Sequence, residues 1–594
     1  MSWRPRAVTL WRSTALRLAL AAFVVYNINL RPVSSADTFP TRYLPISILT
    51  EFDLDLDEFP FLIKAEHPFP GAENAGLPYY LQRRRGHLLS AYPVMPAILA
   101  TPVYALPVLL GLHGDPRAPA ANGGFTRTEI VGSMLGKVAA SLATAVSVAL
   151  VYWGLVLLTS ASGALWITLG YAFATSAWSV SSQGLWQTTM SQVLLAGALL
   201  ALLKARDGPP ARWLAMAGAL LGLAVACRPP ALIFAVVMAL YVLRAHRAHF
   251  LRAFAPAPAV TAMLLVGYNV FYFGRLNGGY EGYVEYHFTL SHMGRALYGL
   301  LLSPNRGMLV FSPVLFAGIA GLGVALVRRR DAWLGHVAVA TLMTVIFYSS
   351  INTWDGAFSY SYRFLVDLLP GLAFGAALVW ERIRASRGRS IVMASLFMWS
   401  VGIQMVGAFN YPCGWYRSTL KDPAAMARIF DLDADGPPAD VWRDLRAVLA
   451  RQAGPDAGTG DTPSVSRPLT LMVVEDDPGM AADLTELLTD AGHGVVGPFS
   501  DAATATTAAS LHAIDLALLD INLAQGEAGG EGGGIALART LNQSWGVPVI
   551  FLSGDVAAAA RHARLATALV LKPYSGRDVL NGIARALAGG AVAG

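Results

Sequence analysis

The stretch PLTLMVVEDD, residues 468–477, decides the fold of the C-terminal part of the chain. A short apolar run, Leu469 to Val474, stops on three consecutive acids, Glu475, Asp476 and Asp477. A run this short, bounded by Pro468 and by charges, reads as a buried strand and not as a helix. The same design returns downstream. LALLD (516–520) ends on Asp520, PVIFLSG (548–554) carries Ser553 near its end, and ALVLKP (568–573) ends on Lys572 and Pro573. HGVVGPF (493–499) supplies one more strand. Helical periods fill the gaps at 480–493, 502–513, 535–544, 556–564 and 576–589. Strands alternating with helices predict a parallel, doubly wound sheet. Such sheets bind ligands beyond the carboxyl ends of their strands.

Chemistry-bearing groups fall at those ends: Glu475 and Asp476, then Asp520, Ser553 and Lys572. Acids gathered in one crevice need a cation, and hard carboxylate oxygens suit Mg²⁺. Mg²⁺ and Lys572 would neutralise a phosphoryl group arriving on Asp520, and Ser553 would hydrogen-bond one of its oxygens. In order and position, VVEDD, LLDIN, FLSGD and LKPY resemble the motifs of a response-regulator receiver domain, which is flavodoxin-like. The resemblance implies Asp520 as phosphoacceptor and Glu475 and Asp476 as the acidic pair. It implies that the Asn522 carbonyl completes the metal shell, that Ser553 is the switch hydroxyl, and that Lys572 senses the phosphate. It implies a histidine kinase or phosphotransfer protein as partner. Two departures stand out. The loop QGEAGGEGGG (525–534) is longer than the family's, and Leu569 occupies the position of its aromatic switch residue.

Working outward, residues 410–466 read as an amphipathic cap, with a short helix near 439–452, and then a linker rich in Gly, Pro, Ser and Thr. This gives three expected units: 1–409, 410–466 and 467–590. The first is a membrane domain. The whole chain is 55% hydrophobic and 14% charged, against about 25% charged in soluble domains. Apolar stretches lie near 13–30, 90–112, 131–158, 163–181, 189–203, 213–227, 231–243, 255–274, 308–327, 334–350, 364–380 and 391–409. At about 20 residues per span, they predict a polytopic α-helical domain of about 11–12 spans in the inner cell membrane. The first stretch, with no small-residue cleavage site after it, reads as an uncleaved span.

Charge supports this division. From Arg467 onward there are 13 acids against 7 bases, a net of −6, so the remainder carries +12. A basic membrane body with an acidic tail is not a nucleic-acid footprint, and no DNA-binding segment follows the tail; nucleic acid is not an expected partner, whereas membrane lipid is. Cys227 and Cys413 exclude a disulfide scaffold. Basic loops at 204–212, 244–252, 328–330 and 382–389 mark the cytoplasmic face. One early stretch must then fail to cross, and the loop 31–89 lies outside. The last stretch, 391–409, carries the chain outward, which sets the tail outside, although a receiver works where ATP-fed kinases are.

The outer loop carries Asp37, Arg42, Asp53, Asp55, Asp57, Glu58 and Arg83 to Arg85, with an alternating stretch, Phe52 to Asp57, read as a short interfacial element. A large acidic first outer loop on a many-helix body resembles the GT-C-type glycosyltransferases. That resemblance implies a polyprenyl-phosphate sugar donor and Asp37 as the base, with Arg42 or Arg85 holding phosphate. SSQGLWQ (181–187), LLSPNRG (301–307) and WDGAFSYSYRFLVDLLP (354–370) are polar-aromatic patches suited to a cavity wall, although aromatic residues also anchor interfaces. Asp367 reads as a structural or cavity residue. The alternatives are a non-catalytic membrane sensor or scaffold fused to a receiver, and a transferase with a vestigial receiver.

Overall fold

The computed structural model describes residues 4–29, 35–63, 77–118, 126–280, 288, 290–303, 306–328, 331–351, 354, 360–409, 468–521, 523, 533–553, 565–571 and 576–590. The N-terminal part is helical: α1 (Arg4–Asn27), α2 (Phe39–Thr50), α3 (Met95–Leu109), α4 (Arg127–Leu155), α5 (Ala161–Phe173), α6 (Gln187–Lys204), α7 (Pro210–Cys227), α8 (Leu232–Ala245), α9 (Pro256–Tyr268), α10 (Met293–Leu302), α11 (Phe316–Arg328), α12 (Ala332–Ser349), α13 (Leu369–Arg384) and α14 (Arg387–Phe409). A two-stranded hairpin, β1 (Leu81–Arg84) and β2 (His87–Ser90), stands between α2 and α3.

Every apolar stretch of the sequence is helical here. Among the described residues, six helical segments are long and apolar enough to cross a membrane, or seven if the bent pair around His246 counts as one span. The difference from the expected eleven or twelve lies in helix length. Five further apolar helices run only 10–17 residues. α6 has length but opens on Gln187, Thr188, Thr189, Ser191 and Gln192. The stretch 163–181 breaks after Phe173 and resumes as a π-helical turn, Ala177–Ser181.

Capping explains where individual helices start. Thr126 and Glu129 form a reciprocal capping box on α4, which satisfies two of its orphan N–H groups, and Asp331 caps α12. α11 and α13 pack backbone to backbone. A Cβ on Gly321 would lie 1.8 Å from the Gly375 carbonyl oxygen, so only small residues allow this approach.

The two ends of the body differ in chemistry. One gathers the basic loops: Arg206 pairs with Asp331 at 2.7 Å, Arg244 meets His336 at 3.1 Å, and Ser160 donates to Glu381 at 2.8 Å. The other holds Asn29 and the segment from Ser35 to Arg42. Both flanks of α3 return to this second end, since Tyr92 bonds Asp37 and Thr128 donates to the His113 carbonyl. α14 starts at the basic end and finishes beside Asn29, whose amide donates to the Ala408 carbonyl at 2.6 Å.

Phe52 to Asp57 form turns, with no strand. Phe52 is 88% exposed at φ +62°, and Leu56 is drawn in by its N–H bond to the Leu88 carbonyl at 2.8 Å. The loop buries Leu56 and Asp55 and leaves Asp57 exposed.

The C-terminal unit has β3 (Thr470–Val474), α15 (Pro478–Asp490), β4 (Gly494–Phe499), α16 (Ala502–Leu511), β5 (Leu516–Asp520), α17 (Gly533–Trp545), β6 (Val549–Ser553), β7 (Ala568–Leu571) and α18 (Gly576–Gly590). Its five strands are all parallel, in the order β4-β3-β5-β6-β7. β3 and β5 are buried nearly throughout, as expected of strands covered by helices on both faces. Met472, Leu519 and Phe551 face one apolar layer with α16 and α17, and Leu471, Leu518 and Ile550 face another with α15 and α18. The helix expected at 556–564, the cap and linker at 410–466, and its helix near 439–452 lie outside the described residues.

Candidate functional site

In the C-terminal unit, parallel register brings the strand ends to one edge. Val474 pairs with Leu519, Asp520 with Leu552, and Ser553 with Leu571. Glu475 and Asp476 therefore leave β3 beside Asp520, the last residue of β5. One carboxylate oxygen from each of the three lies within 4.8 Å of the others. Glu475 is 1% and Asp520 7% exposed. Asp477 faces away from this cluster and caps α15, accepting from the Met480 N–H at 2.9 Å. Three carboxylates this close and this buried are costly without a cation, and an all-oxygen donor set suits Mg²⁺. Ser553 closes β6, and Lys572 follows the last residue of β7. Asn522, Lys572 and Pro573 lie outside the described residues.

Residues 471–583 match the family model for the response regulator receiver domain. They are a receiver domain. Solved structures similar to this chain include the signal receiver domain of a modulated diguanylate cyclase from Desulfovibrio desulfuricans G20, at 27% identity, covering 21% of this chain and 98% of that one, with a TM-score of 0.19. NtrX from Brucella abortus in complex with ADP is 23% identical; the match covers 21% of this chain and 28% of NtrX, with a TM-score of 0.19. A response regulator from Chloroflexus aurantiacus is 23% identical over 20% of this chain and 99% of its own, also at a TM-score of 0.19. Among curated proteins, none matches this chain. The receiver domain's Leu569 is partly buried against the layer that includes Phe551. It fills a core position with an aliphatic side chain where the sequence comparison expected an aromatic switch.

A second constellation lies in the helical body, around Asp37. One Asp37 oxygen accepts from Tyr79 at 2.7 Å and from Tyr92 at 2.8 Å. The other pairs with Arg363 at 2.5 Å. Burial pushes the Asp37 carboxyl up, but the Arg363 charge and the bonds from Tyr79, Arg363 and Tyr92 outweigh it and hold the group below the usual carboxylate range. The cation at Asp37 is thus Arg363, from 326 residues away. Arg42 reaches Ser133 and lies over Phe39, while Arg85 donates to the Phe271 carbonyl. Arg42 and Arg85, the residues the sequence offered for holding phosphate, are therefore not the cation that pairs with Asp37.

Arg363 also lies over the Trp186 ring, 4.4 Å from its centroid. Nearby, Arg228 pairs with Asp367 and lies over Tyr348 at 5.0 Å. Asp367 is accordingly a buried partner of an arginine. Asp37, Tyr79, Tyr92, Trp186, Arg228 and Arg363 line one cavity of about 1130 Å³. Its remaining walls are mainly apolar, with Leu232, Val236, Leu265 and Phe347 among them. The sequence patches 181–187 and 354–370 supply Trp186 and Arg363. Asp355 and the centre of the 301–307 patch lie outside the described residues. Sequence reading missed Arg228, Tyr79 and Tyr92. For Arg228 a signal existed, a lone arginine between two apolar runs.

Proposed function

We propose that this protein is a membrane-anchored phosphorelay component that takes a phosphoryl group on Asp520. The observation that carries the reading is the carboxylate cluster Glu475, Asp476 and Asp520 at the carboxyl edge of the sheet, within the segment that matches the receiver family. A histidine kinase or phosphotransfer protein is the donor. An Asp520 oxygen attacks the phosphorus of the donor's phosphohistidine. The phosphorus–nitrogen bond breaks, an acyl phosphate forms, and the imidazole leaves. Glu475, Asp476, Asp520 and the Asn522 carbonyl would hold Mg²⁺, which supplies neutralising charge to the phosphoryl oxygens. Ser553 and Lys572 take the roles of switch hydroxyl and phosphate-sensing cation. The donors of this family work in the cytoplasm, and the reading assigns the receiver there. The course of α14, from the basic end toward Asn29, points the other way, and the chain of 410–467 joins the two. Labelling of the purified full-length protein by acetyl phosphate with Mg²⁺ tests the proposal. Wild type takes up phosphate and Asp520→Ala falls to background; an unlabelled wild type refutes it.

A second reading concerns the helical body, and the cavity favours it. A carboxylate and two arginines at the head of an apolar chamber suit a lipid phosphate carrying a polar group. In a GT-C-like transfer, Asp37 would accept the proton of the acceptor hydroxyl, whose oxygen attacks the sugar's anomeric carbon. The carbon–oxygen bond to phosphate would break, and polyprenyl phosphate would leave toward Arg228 or Arg363. The cavity volume exceeds the roughly 300–1,000 Å³ of small-molecule pockets, in keeping with a lipid-linked donor. Asp37→Asn is expected to lower transfer from a polyprenyl-phosphate sugar by about 100- to 10,000-fold. Transfer at the wild-type rate removes Asp37 from the reaction.

A further inference from the structure

The acidic turn after α2 stands apart from both sites. Asp53, Asp55 and Glu58 each present a carboxylate oxygen within 4.8 Å of the other two. Asp55 is 4% and Glu58 1% exposed. The Glu58 carboxylate is bonded by the Ser47 hydroxyl and by its own backbone N–H, but its buried Oε1 has no hydrogen-bond partner among the described residues. No described ion pair reaches Asp53 or Glu58; His87 pairs with Asp55 at 2.8 Å and with Asp57 at 3.0 Å. A buried carboxylate that sits beside two others and has one oxygen without a donor is costly. A cation in the gap removes that cost.

We infer that Asp53, Asp55 and Glu58 bind a hard divalent cation, with Ca²⁺ the best match. The donors are all oxygen, and Ca²⁺ takes six to eight oxygens at about 2.3–2.6 Å. Two ligands of one such ion lie at most about 5 Å apart, which the three oxygens satisfy. Hydrogen bonds hold two of the three acids in place. Ser47 donates to Asp53 at 2.6 Å, and the Asp57 N–H donates to Asp55 at 3.3 Å. Asp57 accepts from the Leu88 N–H at 2.6 Å and ties the turn to β2. The hairpin that the turn grips is flanked by Tyr79 before β1 and Tyr92 after β2, the two residues that donate to Asp37. The ion thereby braces one wall of the cavity, whatever reaction that cavity supports.

The receiver has its own acids, so the test uses full-length protein carrying Asp476→Asn, stripped with a chelator. Equilibrium dialysis with Ca²⁺ and, separately, Mg²⁺ measures bound ion, and thermal unfolding measures stabilisation. The expected result is one bound Ca²⁺ with a rise in the unfolding temperature, both lost in Glu58→Gln and weakened in Asp53→Asn. Mg²⁺ binding lost in the same variants also supports the site. Without ion, Glu58→Gln should unfold no lower than its parent, since it removes a buried charge; this separates loss of a ligand from misfolding. No bound ion, or binding unchanged in Glu58→Gln, overturns the inference.

Discussion

Arg363→Ala is expected to destabilise the helical body by about 3–5 kcal/mol, the cost of leaving one member of a buried ion pair alone. Arg363 is 8% and Asp37 17% exposed at the side chain, so water cannot replace the lost partner. The substitution also removes the guanidinium from the Trp186 face, worth a further ~1–2 kcal/mol where desolvated. Asp37→Ala on its own strands the arginine in the same way. Removing both groups together leaves no uncompensated charge, so the double variant should be more stable than the sum of the single losses by about 0.5–3 kcal/mol. Arg363→Lys keeps the charge but loses the planar stack, and it should fall between wild type and Arg363→Ala. Unfolding followed by tryptophan fluorescence reads all four proteins. Strict additivity would mean that Asp37 and Arg363 do not depend on each other, and the cavity head would lose its central pair.

The receiver was legible because its signals are local. Each strand is a short apolar run, and each chemistry-bearing residue sits at the end of one. Parallel pairing alone then brings Glu475, Asp476 and Asp520 together, so the cluster needs no long-range information beyond sheet order. The cavity in the helical body has no such code. Asp37 and Arg363 lie 326 residues apart, while Arg42 and Arg85 bond Ser133 and the Phe271 carbonyl. The number of spans is not legible for a related reason. Hydropathy marks where apolar helices form, but their lengths depend on breaks such as the one after Phe173, which hydropathy does not register. In the turn 52–57, alternation suggested a short interfacial element; hydrogen bonds from Ser47 and Leu88 hold Asp53 and Asp57 in place, and Asp57 stays exposed. That decision rests on partners 6 and 31 residues away.

Gly534→Val is expected to impair phosphorylation of Asp520 even though residue 534 carries no chemistry. Gly534 opens the second position of α17, where the helix lies against the phosphoacceptor. A Cβ there would stand 2.0 Å from the Asp520 carbonyl oxygen and 2.9 Å from the Ile521 Cα. Both neighbours are backbone, so no side chain can swing aside, and either the start of α17 or the end of β5 must move. Overpacking of this kind costs about 1–3 kcal/mol, occasionally more. Moving β5 would shift Asp520 against Glu475 and Asp476, which are fixed on β3, and open the carboxylate cluster. Labelling by acetyl phosphate should therefore slow by roughly tenfold or more, since ~1.4 kcal/mol of lost positioning is already a factor of ten. Gly582→Ala is the control. Its Cβ would meet the Val570 Cγ2 at 2.6 Å, a side-chain atom on a neighbouring strand, so its cost should appear in stability and leave labelling nearly unchanged. If Gly534→Val destabilises the receiver but labels at the wild-type rate, α17 moves instead of β5.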